Sequence, residues 1–179
     1  MKATGIVRRI DDLGRVVIPK EIRRTMRIRE GDPLEIFTDR DGEVIFKKYS
    51  PVGELGSFAS QYAETLAKVS GRSVCITDKD MVIAVSGASK KDFLEHKISP
   101  DIDHLIRERS QHIQKHPGDK GVYILDDSDK YFASVVYPIL SDGDSIGAVI
   151  FFDENLEVMS EVEQKLAHTA AVFLGRQME

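Results

Sequence analysis

Lysine and arginine side chains crowd the first 29 residues of this 179-residue chain. The segment has nine basic residues against three acids, although the formal net charge of the whole chain is −5. The basic residues are Lys2, Arg8, Arg9, Arg15, Lys20, Arg23, Arg24, Arg27 and Arg29. Guanidinium groups clamp phosphates and can donate two parallel hydrogen bonds to the edge of guanine. A local basic excess on an acidic protein therefore predicts an anionic polymer as partner, and DNA fits best.

The charge pattern also divides the chain into two parts. Residues 1–50 carry a net charge of +3, whereas residues 51–179 carry −8. Proline and glycine residues near position 53 stand at this change in composition and indicate a short connector. We therefore expect three segments, which are a DNA-binding domain over 1–51, a connector over 52–55 and a second domain over 56–179.

Short elements must position the basic side chains. Apolar residues and turn residues predict two short strands, a helical turn after Pro19, and a hairpin around Asp41 and Gly42. The predicted elements lie at residues 6–10, 16–18, 20–26, 34–37 and 44–46. Such a small unit buries little apolar area and leaves unpaired strand edges. The sequence therefore predicts an obligate dimer, in which a two-fold axis doubles the arginine set.

The first fifty residues also carry a specific motif. It comprises Arg8-Arg9-Ile10-Asp11, the run Leu13-Gly14-Arg15-Val16-Val17-Ile18-Pro19-Lys20-Glu21-Ile22-Arg23, and the Gly31-Asp32 turn before Leu34-Glu35-Ile36. On these residues the segment resembles the AbrB-like transition-state regulators, whose DNA-binding domain is a swapped-hairpin β-barrel shared by two chains. The resemblance implies a transcription regulator, activator or repressor, of sporulation genes. By position it implies a DNA-contacting set, which is Arg8, Arg9, Arg15, Arg23 and Arg24.

Another interpretation of these arginines stays open at this point. Basic side chains on a surface are often only solvated, and neighbouring acids can neutralise several of them. The acids in this segment are Asp11, Asp12 and Glu21. Arg27 and Arg29 follow the predicted helix, where Glu30 or Asp32 could pair with them. The sequence also leaves open which arginines contact phosphates and which contact bases.

The acidic part of the chain combines helices with an antiparallel sheet. Apolar residues over 58–69 recur at helical spacing and predict a long helix, and a stripe over 156–173 predicts a last helix that starts near Asn155. The pattern between them predicts strands at 74–77, 81–85, 121–125, 131–140 and 145–152, and short helices at 93–94 and 102–106. The fold class is therefore α+β.

The order of these elements is similar to that of the GAF sensory domain. The runs that carry the likeness are Ser73-Val-Cys-Ile-Thr-Asp, Met81-Val-Ile-Ala-Val-Ser-Gly, Tyr137-Pro-Ile and Gly147-Ala-Val-Ile-Phe-Phe. The resemblance implies an antiparallel sheet flanked by helices, with a small-molecule pocket on one face under residues 86–106. The residues expected at this pocket, whose ligand is unidentified, are Ser86, Gly87, Ser89, Lys90 and Phe93. A solvated loop is the alternative interpretation of the polar members.

Other reactive residue types form no catalytic set in the sequence, so we expect no enzyme. His112 and His116 have the spacing of two metal ligands on one helix face, but no third ligand stands nearby and an exposed helix end is the other interpretation. Asp126, Asp127 and Asp129 lack the calcium-loop spacing and indicate a polar turn. The sequence therefore predicts neither a metal nor a resident cofactor.

The composition indicates a cytoplasmic protein. No run approaches the ~20 apolar residues of a membrane-spanning helix, and the first residues lack the apolar core of a signal peptide. The single cysteine, Cys75, lies in an apolar run, which indicates a small buried side chain in a reducing compartment. No partnership with a membrane is expected.

Three classes of function compete at this stage. The leading class is a DNA-binding regulator whose second domain senses a ligand or assembles the protein. The second class is an antitoxin that represses its own operon and binds a toxin protein, but it needs an apolar-poor tail after residue 50. The third class is an enzyme that acts in the C-terminal pocket, where no nucleophile or acid–base pair stands. Surplus apolar residues on the two long helices further predict a tetramer through the C-terminal helices.

Overall fold

The computed structural model describes residues 5–50, residue 52 and residues 56–178. The chain divides into two compact units, Met1–Tyr49 and Ser50–Glu179. The elements of the N-terminal unit are α1 (Lys20–Thr25), β1 (Leu34–Thr38) and β2 (Val44–Lys48). Helix α1 begins directly after Pro19, a residue that has no N–H to leave unpaired at a helix start.

Strands β1 and β2 form the predicted hairpin. They pair antiparallel, with Leu34 opposite Lys48 and Thr38 opposite Val44. The turn between them contains Gly42 at a φ of 83°, a conformation that glycine adopts without strain.

Residues 6–10 and 16–18, where the sequence predicts two further strands, form no strand in the described part of the chain. They flank a turn in which the Asp11 N–H donates to the carbonyl of Arg15 at 3.1 Å. A strand exists only where its N–H and C=O groups meet a partner strand. The prediction is therefore wrong for the single chain, because no neighbouring strand is supplied there among the described residues.

Apolar side chains of the N-terminal unit remain largely exposed. Within residues 5–50, Pro19 alone is buried. Val7 is 89% exposed and Val17 is 70% exposed. Other exposed large apolar residues of this unit are Ile6, Ile10, Leu13, Val16, Met26, Ile36, Phe37, Val44, Ile45, Phe46 and Tyr49. This unit therefore has much apolar surface and little core. Burial of one such side chain against a partner would contribute about 1.5–3 kcal/mol.

The C-terminal unit is a layered α+β domain. Its helices are α2 (Gly56–Ser70), α3 (Lys90–Phe93), α4 (Pro100–Arg107) and α5 (Glu161–Arg176). Its strands are β3 (Ser73–Thr77), β4 (Val82–Ser86), β5 (His112–Ile113), β6 (Val122–Tyr123), β7 (Phe132–Ser141) and β8 (Asp144–Asp153). The strands pair antiparallel in the order β4-β3-β8-β7-β5, and β6 also pairs with β7.

Both faces of this sheet are covered by apolar side chains, since neighbours along a strand point to opposite faces. On one face, Ile76, Val149 and Phe151 belong to the cluster that includes the buried residues of α2 and α5. On the other face, Cys75 and Ile150 belong to the cluster under α3 and α4. The predicted arrangement of a sheet flanked by helices is confirmed.

The last helix starts later than the sequence pattern predicts. Helix α5 begins at Glu161, because Ser160 caps it: the Ser160 Oγ accepts from the Val162 N–H at 3.2 Å, and the Glu163 carboxylate accepts from the Ser160 N–H at 2.8 Å. Leu156 has a φ of 56°, outside the helical region. No helix in the described ranges is long and apolar enough to cross a membrane.

Candidate nucleic-acid interface

The turn after residue 10 closes around one carboxylate and carries Arg15. Oδ1 of Asp11 accepts hydrogen bonds from the N–H of Leu13 at 3.0 Å and the N–H of Arg15 at 2.8 Å. Gly14 has a φ of 75°, so glycine suits this position. The other oxygen, Oδ2, accepts from Nε of Arg15 at 2.8 Å. Arg15 is therefore held at one edge of its guanidinium while the side chain stays exposed.

The same contacts fix the charge of Asp11. Hydrogen bonds from the backbone and then the side chain of Arg15 hold the pKa of Asp11 below its ordinary value. The carboxylate therefore stays ionised to a lower pH than an ordinary aspartate, and it faces a cation that has remaining donors for a second anion.

The other predicted DNA-contacting residues are also exposed. Arg8 and Arg9 precede the turn, and Arg23 and Arg24 lie in the last turn of α1. Successive residues of a helix point about 100° apart, so Arg23 and Arg24 face different directions. The partial negative charge at a helix C-terminus favours cations there. The structure thus places all five arginines on the surface of one unit.

Arg27 and Arg29 differ from these five, because both are half-buried. Asp32 accepts the N–H of Arg29 at 2.8 Å, and its carboxylate lies 3.6 Å from Nζ of Lys48. That Lys48 amine also donates to the carbonyl of Arg27 at 3.0 Å. These contacts join the segment after α1 to β2. Asp32 contributes a hydrogen bond to the backbone of Arg29 and an ion pair with Lys48 of β2.

The residues predicted to line a ligand pocket do not all come together. Phe93 is 0% exposed, with its ring centroid 4.7 Å from those of both Tyr131 and Phe152. It therefore fills the space between α3 and the sheet, and it contacts a ligand only if it moves. Lys90 points to Glu64, at 3.7 Å.

Gly87 and Ser89 lie together in the wall of a cleft of about 320 Å³. Its other lining residues are Ser73, Ala88, Tyr131, Phe152, Asp153, Glu154 and Asn155. Gly87 has a φ of 84°, and a Cβ there would lie 2.8 Å from the Cα of Ser73, so this wall requires glycine. Ser86 and Lys90 are not among the residues of this wall.

A second cleft, of about 450 Å³, lies where the sequence predicts only a polar turn. It is lined by Ser99, Pro100, Asp101, Tyr123, Leu125, Asp126, Asp127, Ser128 and Asp129. Nδ1 of His96 is 2.9 Å from the Asp127 carboxylate. Acids from separate segments meet here, which sequence spacing does not reveal.

The candidate reactive groups of the C-terminal unit are structural. Burial raises the pKa of the Cys75 thiol, so it stays protonated and unreactive. His112 lies in β5, opposite Val136, and not on a helix as its spacing from His116 suggested. Burial lowers the pKa of His112, so its ring is neutral at pH 7. Among the described residues, no three His, Cys, Asp or Glu side chains group to hold a metal ion.

The fold and the exposed arginines define a class of protein: a two-domain protein with a basic N-terminal unit and a layered α+β C-terminal unit. Its N-terminal unit carries the five exposed arginines, and its C-terminal unit has an antiparallel sheet between helices. The sequence profile described as stage V sporulation protein T C-terminal, transcription factor, matches residues 54–179. The profile described as antidote-toxin recognition MazE, bacterial antitoxin, matches residues 7–54.

Individual relatives agree with these matches. Stage V sporulation protein T of Bacillus subtilis strain 168 is 58% identical over 180 residues, covering 100% of this chain and 99% of that protein. The transition state regulatory protein AbrB of the same organism is 41% identical over 90 residues, covering 50% of this chain and 84% of that protein. The solved GAF domain of an Acinetobacter phosphoenolpyruvate-protein phosphotransferase matches with a TM-score of 0.58 at 10% identity, over 74% of this chain and 84% of that chain, which shows the fold alone.

This chain belongs to the stage V sporulation protein T family. It is a DNA-binding transcription regulator of sporulation, with an AbrB-like N-terminal domain and a GAF-like C-terminal domain. Both resemblances predicted from the sequence are thereby confirmed.

Proposed function

We propose that this regulator binds double-stranded DNA as a dimer and that five arginines of each chain face the DNA. They are Arg8, Arg9, Arg15, Arg23 and Arg24. The observation that carries the proposal is that these exposed side chains share a unit with exposed apolar side chains such as Val17. A second copy would cover the apolar residues and leave two arginine sets outside. A two-fold arrangement of this kind matches pseudo-symmetric half-sites on a duplex.

The salt dependence of binding tests this arginine face. If eight of the ten arginines of a dimer, four per chain, each neutralise a phosphate, the logarithm of affinity falls with the logarithm of salt concentration with a slope of about −7. Arg15→Ala and Arg23→Ala should each weaken binding and reduce this slope. Arg107→Ala is the matched control, since Arg107 is an exposed arginine at the end of α4 in the C-terminal unit, outside the two helices that carry the proposed contact between dimers. The proposal is wrong if neither N-terminal change alters affinity at any salt concentration.

We further propose that the C-terminal helices join two such dimers into a tetramer. Val69 of α2 is 70% exposed, and α5 exposes Val162, Val172 and Phe173. The ring of Tyr62 stacks on that of Phe173 with centroids 5.6 Å apart, so the apolar residues of the two helices meet. Packing against a second pair of helices would bury this surface. Light scattering of the full chain should give a tetramer, and a monomer at micromolar concentration contradicts the assembly.

The proposed role of the C-terminal domain is to control how the paired N-terminal domains are spaced. The boundaries we propose are 1–51, 52–55 and 56–179, with residues 51–70 transmitting the change. A small molecule in the cleft beside Gly87 and Ser89 would shift the equilibrium only if it binds one spacing better than the other. Native mass spectrometry of purified protein measures both the assembly and any co-purified ligand. A protein that carries no ligand from any growth condition favours a purely assembling domain.

The proposed regulator acts in the cytoplasm, without catalysis of its own. Support comes from the transcription-factor family and from the buried, protonated thiol of Cys75. Incubation of the protein with metabolite pools should show binding without turnover. Turnover that survives further purification would support the enzyme alternative.

A specific observation keeps the antitoxin alternative in view, because the MazE antitoxin profile matches residues 7–54. That alternative predicts an extended segment after residue 50 that wraps around a toxin. Residues 56–178 instead form helices and a sheet with two buried apolar clusters. Co-expression with a toxin from the same genome tests it: no stable complex is expected.

A further inference from the structure

Two turns of the N-terminal unit have the same construction. In the first, Oδ1 of Asp11 accepts from the N–H groups two and four residues later, at 3.0 Å and 2.8 Å. In the second, Oδ1 of Asp39 accepts from the N–H groups of Asp41 and Glu43, at 3.0 Å and 2.9 Å. Each turn has a glycine with positive φ at its fourth position, Gly14 and Gly42. The sequence pattern Asp-x-x-Gly therefore needs only one carboxylate oxygen to form the turn.

The two turns differ in the use of the second oxygen. Oδ2 of Asp11 accepts from Nε of Arg15 at 2.8 Å. The equivalent position of the other turn holds Glu43, which has no guanidinium or amine to donate to Oδ2 of Asp39. The contact between Asp11 and Arg15 is thus an addition to the turn and not a requirement of it.

From this difference we infer that Asp11 is a positioning residue for DNA recognition: its Oδ2 holds Nε of Arg15, so that the terminal nitrogens of the guanidinium are presented to the DNA in one orientation. The inference rests on the proposed DNA-contacting role of Arg15. Bidentate recognition of a base edge or a phosphate requires a fixed guanidinium plane, whereas simple charge attraction does not. Asp11 therefore contributes to discrimination between DNA sequences, although it carries the same charge as the DNA.

The direction in which one substitution changes DNA affinity separates this role from a purely electrostatic one. Asp11→Asn keeps an Oδ1 for the two backbone N–H groups but replaces Oδ2 by an amide that cannot accept from Nε. It also removes a negative charge beside the DNA-facing surface, so charge alone predicts tighter binding to every duplex. If Asp11 fixes the orientation of the Arg15 guanidinium, Asp11→Asn should instead weaken binding to a preferred duplex. Asp39→Asn is the matched control, because it makes the same chemical change in the turn whose fifth position is Glu43 and not an arginine.

The experiment measures the affinity of the full chain for two fluorescent duplexes at fixed salt. One duplex is selected by the full chain from a random pool, and the other is a scrambled version of it. We expect Asp11→Asn to lower affinity for the selected duplex by about fivefold or more and to reduce the ratio between the duplexes by a similar factor. Asp39→Asn should leave the ratio unchanged. An unchanged or increased ratio in Asp11→Asn overturns the inference.

Two further variants keep the result interpretable. In the Arg15→Ala background, Asp11→Asn should have no additional effect on the ratio, because the residue it positions is absent. If Asp11→Asn lowers the melting temperature strongly, Arg15→Lys decides: it leaves the turn intact, keeps the charge, and should lose the same discrimination. Unchanged discrimination in Arg15→Lys contradicts the inference. If Arg15→Ala has no effect on any duplex, the DNA-contacting role of Arg15 fails and the inference fails with it; the whole DNA face fails only if Arg23→Ala has no effect either. If Arg15→Ala weakens binding and Asp11→Asn leaves the ratio unchanged, only the role of Asp11 is refuted.

Discussion

The two units of this protein make opposite use of similar apolar residues. In the C-terminal unit, Phe93 and Phe151 are fully buried between the sheet and its helices. In the N-terminal unit, valines and isoleucines that a sequence pattern assigns to strands are exposed, Val7 at 89%. One unit closes its own core, and the other leaves most of its large apolar side chains exposed. This difference is why we propose that stability and DNA binding of the N-terminal unit depend on association, whereas the C-terminal unit has a core within one chain.

Truncation of a core phenylalanine gives the largest expected effect. Phe151→Ala should destabilise the C-terminal unit by about 3–5 kcal/mol, because it leaves a cavity in a sealed core. Phe46→Ala is the comparison, since Phe46 is 39% exposed in the single chain. The destabilisation caused by Phe46→Ala should rise with protein concentration if association buries the Phe46 side chain. Chemical denaturation at several protein concentrations measures the destabilisation caused by each variant. A destabilisation by Phe46→Ala that does not depend on protein concentration contradicts the proposed difference between the two units.

A charge placed on the exposed surface of each unit should disrupt a different contact between chains. Val17 and Val69 are equally exposed, at 70%. Val17→Asp should remove the N-terminal dimer and weaken DNA binding by about a hundredfold, or about 2.7 kcal/mol. Val69→Asp should convert tetramers to dimers and retain most of the affinity. Light scattering and DNA titration of both variants check this; equal loss of DNA binding in the two contradicts it.

Loss of a single DNA-facing arginine should have a smaller effect. Arg15→Ala is expected to weaken binding about tenfold, or about 1.4 kcal/mol, with little change in the unfolding of either unit. The side chain is exposed and its hydrogen bond to Asp11 is on the surface, so the folded state loses little. Fluorescence anisotropy gives the affinity, and calorimetry of the same sample gives the unfolding. A large drop in melting temperature would assign Arg15 to stability and not to DNA.

The smallest effect concerns the start of α5 and sharpens the description of the C-terminal unit. Ser160→Ala should cost about 1 kcal/mol, because it removes a helix cap. Burial alone would raise the pKa of Glu163, but hydrogen bonds from Ser160 contribute to lowering it. Because the pKa is lower in the folded state, this stabilisation is present above the ordinary pKa and is lost as pH falls through the lowered value. Unfolding measured between pH 3 and 7 should therefore show less acid sensitivity in Ser160→Ala.

The sequence predicts those parts of the fold that depend on local pattern. The long helix α2, the hairpin β1–β2 and the strands β7 and β8 follow from periodicity and turn residues. Strand β5 has only His112 and Ile113, too few residues for a pattern. The strands expected at 6–10 and 16–18 fail in the single chain because pairing is a property of neighbours and not of the segment itself.

The candidate site divides in the same way. The arginines are visible in the sequence because their motif is contiguous. The contact between Asp11 and Arg15 is not, although the repeated Asp-x-x-Gly pattern, ending in Arg15 once and in Glu43 once, is a signal that points to it. Gly87 and Ser89 line one cleft, whereas the burial of Phe93 depends on tertiary packing that spacing cannot show.

We propose that an N-terminal unit binds DNA only after a second copy completes it. The mass of the complex between the full chain and one short duplex distinguishes a dimer on the DNA from a single chain. Native mass spectrometry across a dilution series should show complexes with an even number of chains, and free DNA where the protein dissociates. A stable complex of one chain with one duplex would contradict the account.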